Sequence, residues 1–214
     1  MRDPIQEAYK QIITQELEEG KVKNAMIAIG AAGAIAGAAL IGTGSTDSSG
    51  SREVSGLVQD AKKKAINYDP DKLHEIVTSK FKVDDEKARH IVNTAIKYSH
   101  PTFPQAHHIL AIAGIESSFN ENAVSKLKHD PAVGLMQIRP KVWNIDKKEL
   151  STIEGQIRHG AGILHHYFKK TGSPDAAVKA YNIGLTNFNR GKQQDAAHRY
   201  HTKFTKELSR YTED

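Results

Sequence analysis

From residue 53 onward one pattern dominates the chain: apolar residues return every three or four positions, with Pro or Gly interrupting them at intervals. No long stretch alternates apolar with polar residues, and no internal repeat is present. The spacing therefore predicts a mainly α domain. Helices are expected over 53–67, 70–81 and 84–98, the last with Asp84, Asp85 and Glu86 in its first turn, where the helix dipole favours acids. Pro101 and Pro104 break the chain before a further, strongly apolar helix. Residues 120–149 are irregular and are expected to hold a small loop or β region. Ser151 and Glu154 have the spacing of a capping box, opening a helix that reaches Lys170. Ser173, Pro174 and Asp175 open another that ends near Asn182 and Gly184, and residues 193–212 form the last.

The apolar helix carries a carboxylate. Ile109, Ile112, Ala113 and Glu116 fall at i, i+3, i+4 and i+7, so Glu116 points where the apolar side chains point. A carboxyl group there is desolvated, and the negative end of the helix dipole pushes the same way. Both effects keep a carboxylic acid protonated near neutral pH, the property required of a general acid that cleaves a glycosidic bond. The competing reading is a solvent-facing Glu at a helix end capped by Ser117 and Ser118. Glycoside cleavage normally takes two carboxylates, and Glu121 and Asp130 are the nearby candidates for the second.

Four short motifs surround that residue in order: Glu116-Ser-Ser-Phe-Asn, Ala123-x-Ser125, Gly134-Leu-Met-Gln-Ile and Ala180-Tyr-Asn-x-Gly184. Together they resemble the soluble lytic transglycosylase family, peptidoglycan-cleaving enzymes with a lysozyme-like domain related in fold to goose-type lysozyme. The resemblance covers residues 100–212. It implies a single catalytic Glu, here Glu116, which acts first as acid and then as base. The N-acetyl group of the muramic acid would stabilise the cationic centre, and the product would be a 1,6-anhydro sugar. On this view Glu121 and Asp130 are solvated loop residues. The resemblance further places Ser125 near the substrate's N-acetyl region, Gln137, Tyr181 and Asn182 in the cleft, and the Tyr200 hydroxyl near the catalytic Glu. Gly134 would let backbone approach the sugar closely, Met136 would offer a soft apolar contact, and Leu135 and Ile138 would be core. The chain departs from the family pattern at Ala196-Ala197, where Glu-Thr is common, and at Val133, where a small polar residue is common. Its loop from Lys126 to Asp130 is also longer, implying a different specificity. Two rival functions fit the same residues: a hydrolytic muramidase, and a non-catalytic glycan-binding component of a virion or secretion channel.

The region before residue 53 differs in character. Residues 1–24 read as an amphipathic helix over 3–19, with Ile5, Tyr9, Ile12, Ile13 and Leu17 on one face. Residues 25–42 are apolar and uncharged, and at about 1.5 Å per residue such a helix reaches about 27 Å, close to a hydrocarbon core. Gly33 and Gly37 form a Gly-x-x-x-Gly pair within it. A transmembrane helix is expected there; a signal-peptide core, and a helix buried against partner subunits or inserted only after delivery, are the alternatives. Arg2, Lys10, Lys21 and Lys23 before the segment favour an inside N-terminus, which sets the enzymatic part on the cell-wall side, in a periplasm or carried in a virion. Residues 43–52 are a Gly/Ser-rich linker, 53–99 accessory helices, and 100–214 the lysozyme-like domain.

The formal charge of +5 suits an acidic polymer, whether cell wall, anionic lipid or nucleic acid. No nucleic-acid motif accompanies it, and Lys62-Lys63-Lys64 reads as a solvated helix face. Absence of Cys excludes disulfides and thiolate metal sites. The adjacent pairs His107-His108 and His165-His166 cannot share one helix face, and no His-Glu-x-x-His is present. The expectation is therefore no metal and no cofactor, with the histidines adding positive charge in mildly acidic surroundings. The partners expected are peptidoglycan glycan strands, a membrane through residues 25–42, and self-association or virion or secretion-complex proteins.

Overall fold

The computed structural model describes residues 69–212. The expected helices at 3–19, 25–42 and 53–67, the 43–52 linker and the Lys62–Lys64 run lie outside the described residues. Among the described residues no helix is long and apolar enough to cross a membrane.

The described chain is mainly α, and its local chemistry explains most helix boundaries. Helix α1 (Pro70–Phe81) starts where the Asp69 carboxylate accepts from the backbone N–H groups of Asp71 and Lys72, with Pro70 in the first turn. Helix α2 (Asp85–Lys97) is capped in the same way by Asp84, which accepts from Lys87 N. Helix α3 (Ala106–Ser117) begins with His108 Nδ1 accepting from Gln105 N at 3.1 Å. A one-turn helix α4 (Pro140–Trp143) and a 3₁₀ turn (Lys147–Ser151) follow within the irregular region. Helix α5 (Ile153–Thr171) leads to α6 (Pro174–Ile183), the short α7 (Leu185–Asn189) and α8 (Gln194–Thr212). The β content expected near 120–149 amounts to two antiparallel bridges, Val124 with Val133 and Val133 with Ile138.

Two local expectations need correction. The cap of α5 is Thr152, whose hydroxyl accepts from Gly155 N at 3.0 Å; Ser151 closes the preceding 3₁₀ turn instead. Glu154 is thereby released from the capping box, and it accepts from Lys97 Nζ and the Tyr98 hydroxyl, each at 2.7 Å. Ser173 caps α6 as expected, accepting from Ala176 N.

Helix α3 is the centre of the domain, with α2, α5 and α8 packed around it. Every residue from Ile109 to Gly114 is buried, so this helix is apolar all round rather than along one stripe. The helical phase of Glu116 is accordingly one of several inward directions. Its position at the last turn, where α3 emerges from the core, sets its environment. Helices α1 and α2 share that core through Leu73, Val77, Ala88, Ile91, Val92 and Ala95.

Several histidines are drawn into the domain instead of adding charge at its surface, while His90, His129 and His198 are exposed. His100, His159 and His165 are buried, His159 against Glu149 and His165 with its Nδ1 on the Phe103 carbonyl. Burial lowers the pKa of His107 and His166, and takes His108 down to about 3, with His107 adding to the effect. His108 therefore stays neutral in mildly acidic surroundings.

Candidate active site

Glu116 sits at the C-terminal turn of α3, where the chain stops being helical through two consecutive left-handed residues, Ser118 (φ 52°) and Phe119 (φ 62°). Phe119 is bulky for that region of φ/ψ space and is held there by burial, edge-on against Phe81 with ring centroids 4.7 Å apart. The turn sends the following loop back past the helix end. Ser117 fastens the two together, its hydroxyl lying 2.8 Å from the Leu135 carbonyl and 3.3 Å from that of Ala113.

The carboxyl of Glu116 is half-buried. Tyr200, from the middle of α8, donates to Glu116 Oε1 at 2.6 Å. Among the described residues no group bonds the other carboxyl oxygen. Burial raises the pKa of Glu116 to about 7, and the Tyr200 hydrogen bond, which favours the charged form, works against that rise. Among the described residues no charged neighbour contributes to the shift. Burial also holds the Tyr200 and Tyr181 phenols well above 10, with the Glu116 charge adding to it, so both remain neutral donors.

The structure places the other expected residues unevenly, with Tyr181 near this carboxyl and the rest tied to other parts of the domain or exposed. Tyr181, near the end of α6, donates to the Met136 carbonyl at 2.7 Å and lies close enough to Glu116 to feel its charge. Asn182 is exposed at the same helix end. Ser125 pairs with Ala132 in both directions: its N–H donates to the Ala132 carbonyl, and its hydroxyl accepts from Ala132 N, each at 2.8 Å. That leaves the hydroxyl proton of Ser125 to donate outward.

In the Gly-Leu-Met-Gln loop the Met136 side chain is used differently from expectation, and Gly134 and Gln137 also serve the protein's own packing. Met136 does not offer its thioether to a cleft: the side chain is fully buried, and a Cβ at Gly160 would come within 2.2 Å of its sulfur. Gly134 is required by the protein itself, since its φ is +76° and a Cβ there would lie 2.3 Å from the Gln156 amide carbon. Gln137, also left-handed at φ 49°, spends its amide N–H groups on the carbonyls of Ala123 (3.2 Å) and Gly134 (3.0 Å). Leu135 and Ile138 are core, as expected.

Both candidate second carboxylates are engaged by other groups of the protein. Glu121 pairs with Lys87 Nζ at 2.6 Å, which lowers its pKa. Asp130, expected to be solvated, is 6% exposed and caps α4 from outside: it accepts from Lys141 N (3.1 Å) and Val142 N (3.3 Å), with Arg139 Nε at 3.4 Å. Arg139 precedes α4 without a side-chain cap of its own, so Asp130 takes that role.

Residues 95–204 match the family model described as the transglycosylase SLT domain. The chain belongs to this family. The mainly helical architecture is consistent with the lysozyme-like fold of SLT domains, and membership supports a transglycosylase-type, peptidoglycan-cleaving activity with glycan strands as substrate. No curated protein and no solved structure matches the chain. The matched residues take in α3 to α7 and α8 as far as Phe204, and with them Glu116, Ser125, Gln137, Tyr181, Asn182 and Tyr200.

Sequence reasoning missed the residue that holds the site's loops together. Gln156 is buried in the first turn of α5. Its Oε1 accepts from Leu135 N at 2.8 Å, and its Nε2 donates to the carbonyls of Glu121 (3.0 Å) and Leu150 (2.9 Å). One side chain thus fastens three separate segments at 121, 135 and 150. The signal was present: Ile153, Gln156, Ile157 and Leu164 share the apolar phase of α5, and a Gln in such a row has to find partners. Among the described residues no group of His, Asp and Glu is arranged to hold a metal.

Proposed function

We propose that this SLT-domain protein cleaves the β-1,4 bond between N-acetylmuramic acid and N-acetylglucosamine with Glu116 as its only acid and base. The observation that carries the reading is the Glu116 carboxyl itself. It has a pKa of about 7 and one oxygen held by Tyr200, and among the described residues nothing bonds the other oxygen and no second carboxylate perturbs it. A group balanced at neutral pH serves equally as proton donor and acceptor. Protonated Glu116 gives its proton to the glycosidic oxygen as the C1–O4 bond breaks, and the substrate's own N-acetyl group meets the developing positive charge at C1. The carboxylate left behind is stabilised by the Tyr200 phenol. It then takes the proton of the sugar's 6-hydroxyl while O6 bonds to C1, which restores the acid and closes the 1,6-anhydro ring. No water is consumed. Ser125 and the exposed Asn182 are the polar groups assigned to the sugar's substituents, and Tyr181 to the wall of the cleft.

The apolar segment 25–42 and the linker after it support a membrane-attached role on the cell-wall side, as in the local wall opening that accompanies phage entry or secretion. The test is mass spectrometry of muropeptides released from purified peptidoglycan by the full chain. Anhydro ends that vanish in Glu116→Gln support the proposal. Reducing ends from the unaltered protein would mean hydrolysis. No release, with glycan still bound, would mean a binding module.

A further inference from the structure

Three large apolar side chains stand out in solvent among the described residues: Val124 at 64%, Leu127 at 52% and Val142 at 57% exposure. Single exposed apolar residues are ordinary on a protein surface, but these three come from one lobe of the domain. The Asp130 carboxylate, by bonding Lys141 N and Val142 N, draws the loop that carries Leu127 onto the start of α4, which carries Val142. The Val124–Val133 bridge ties Val124 to the base of the same loop. Charge follows the same boundary. Between Asn122 and Ile145 the chain has Lys126, Lys128, Arg139 and Lys141 against a single carboxylate, Asp130, and that carboxylate is buried beside Arg139. Lys126, Lys128, His129 and Lys141 are all exposed.

Exposed Val and Leu interleaved with Lys have a specific chemical complement. An acidic polymer in solution would engage the cations and leave the apolar tips in water. The headgroup layer of an anionic bilayer takes both, with phosphates for the ammonium groups and the acyl boundary for the apolar tips. We propose that this lobe docks on an anionic lipid bilayer, with Val124, Leu127 and Val142 at the acyl boundary and Lys126, Lys128 and Lys141 at the phosphates. Docking here is independent of what the Glu116 site cleaves. Ser125, assigned above to the sugar, lies between Val124 and Lys126 in the chain, so on that assignment docking would hold the domain against glycan nearest the membrane.

The chain carries its own reporter. Trp143 is its sole tryptophan and follows Val142 directly. The full-length protein is mixed with vesicles of phosphatidylcholine alone or with phosphatidylglycerol, each with and without brominated acyl chains, and Trp143 emission is recorded. The 25–42 segment can bring the protein to a vesicle by itself, but it has no tryptophan, so quenching reports this lobe. The Trp143 ring packs edge-on to His166 and Tyr167, so the readout is quenching by the acyl bromines, and the proposal requires such quenching with the anionic vesicles that high salt reverses. It also requires its loss in Leu127→Ser/Val142→Ser, whose helical circular dichroism should be unchanged because both positions are exposed. Lys126→Glu/Lys128→Glu should raise the lipid needed for half-maximal quenching by at least about 25-fold, about fivefold for each lysine taken from an anionic surface. Equal quenching by phosphatidylcholine alone, no quenching by anionic vesicles, or quenching that survives Leu127→Ser/Val142→Ser would each overturn it. So would an emission shift produced by soluble peptidoglycan fragments and not by vesicles, which would assign the lobe to the glycan.

Discussion

Substituting Glu116 with Gln keeps the shape of the side chain and an acceptor for Tyr200, but removes a half-buried ionisable group. The stability difference between the two proteins should therefore depend on pH in a defined way. In the folded protein the carboxyl titrates at about 7, against 4.5 when unperturbed. A carboxyl with a raised folded pKa contributes its full stabilisation below pH 4.5, where it is protonated in both states. That contribution declines as pH rises from 4.5, because the unfolded chain ionises while the folded one still holds the proton. Above pH 7 it is gone. At about 1.4 kcal/mol for each pH unit, the interval from 4.5 to about 7 amounts to about 3 kcal/mol. Glu116→Gln has no such dependence, and every other titrating group is common to both proteins and cancels in the difference. Urea denaturation of the two full-length proteins at intervals from pH 4 to pH 8.5 reads it directly. Relative to the unaltered protein, the variant should gain about 3 kcal/mol between pH 4 and pH 8 and nothing further above that. A difference constant to within about 0.5 kcal/mol across that range would show that the folded protein does not desolvate the carboxyl, and the argument for a protonated acid at neutral pH would go with it.

Tyr200→Phe removes a hydrogen bond that favours ionised Glu116, so the alkaline limb of activity, expected near pH 7, should move upward while the maximal rate of muropeptide release falls about 10- to 100-fold; a limb that stays in place would separate the tyrosine from the titrating acid. Gln156→Leu leaves Leu135 N and the carbonyls of Glu121 and Leu150 without their buried partner, and should cost about 3 kcal/mol of unfolding free energy and most of the activity, read by urea denaturation and muropeptide release. Glu121→Gln should leave the product spectrum unchanged and the rate within about twofold, since its carboxylate serves Lys87; a shift to loss of all release would restore it as the second carboxylate.

Legibility in the sequence followed the range of the interactions. The starts of α1 and α6 were readable because Asp69-Pro70 and Ser173-Pro174 satisfy orphan N–H groups within a few residues of where they stand. The start of α5 was misread by one residue, because Ser151 and Thr152 both have a hydroxyl and a suitable spacing, and only the intervening 3₁₀ turn decides between them. Met136 was read toward the substrate, since a sequence does not show that its side chain fills the space beside Gly160. Asp130 was read as solvated because its partners, the N–H groups of Lys141 and Val142, lie beyond a loop.

By itself the sequence determined a mainly α domain and an apolar helix that ends in one carboxylate. Those follow from residue spacing and capping, which act over a turn or two. Tertiary structure alone decided what that carboxylate is. The Tyr200 hydroxyl reaches Glu116 across 84 residues of chain, and Gln156 draws three loops onto the end of α3. A pKa depends on desolvation and on donors brought from elsewhere in the chain, and those are settled only when the helices pack.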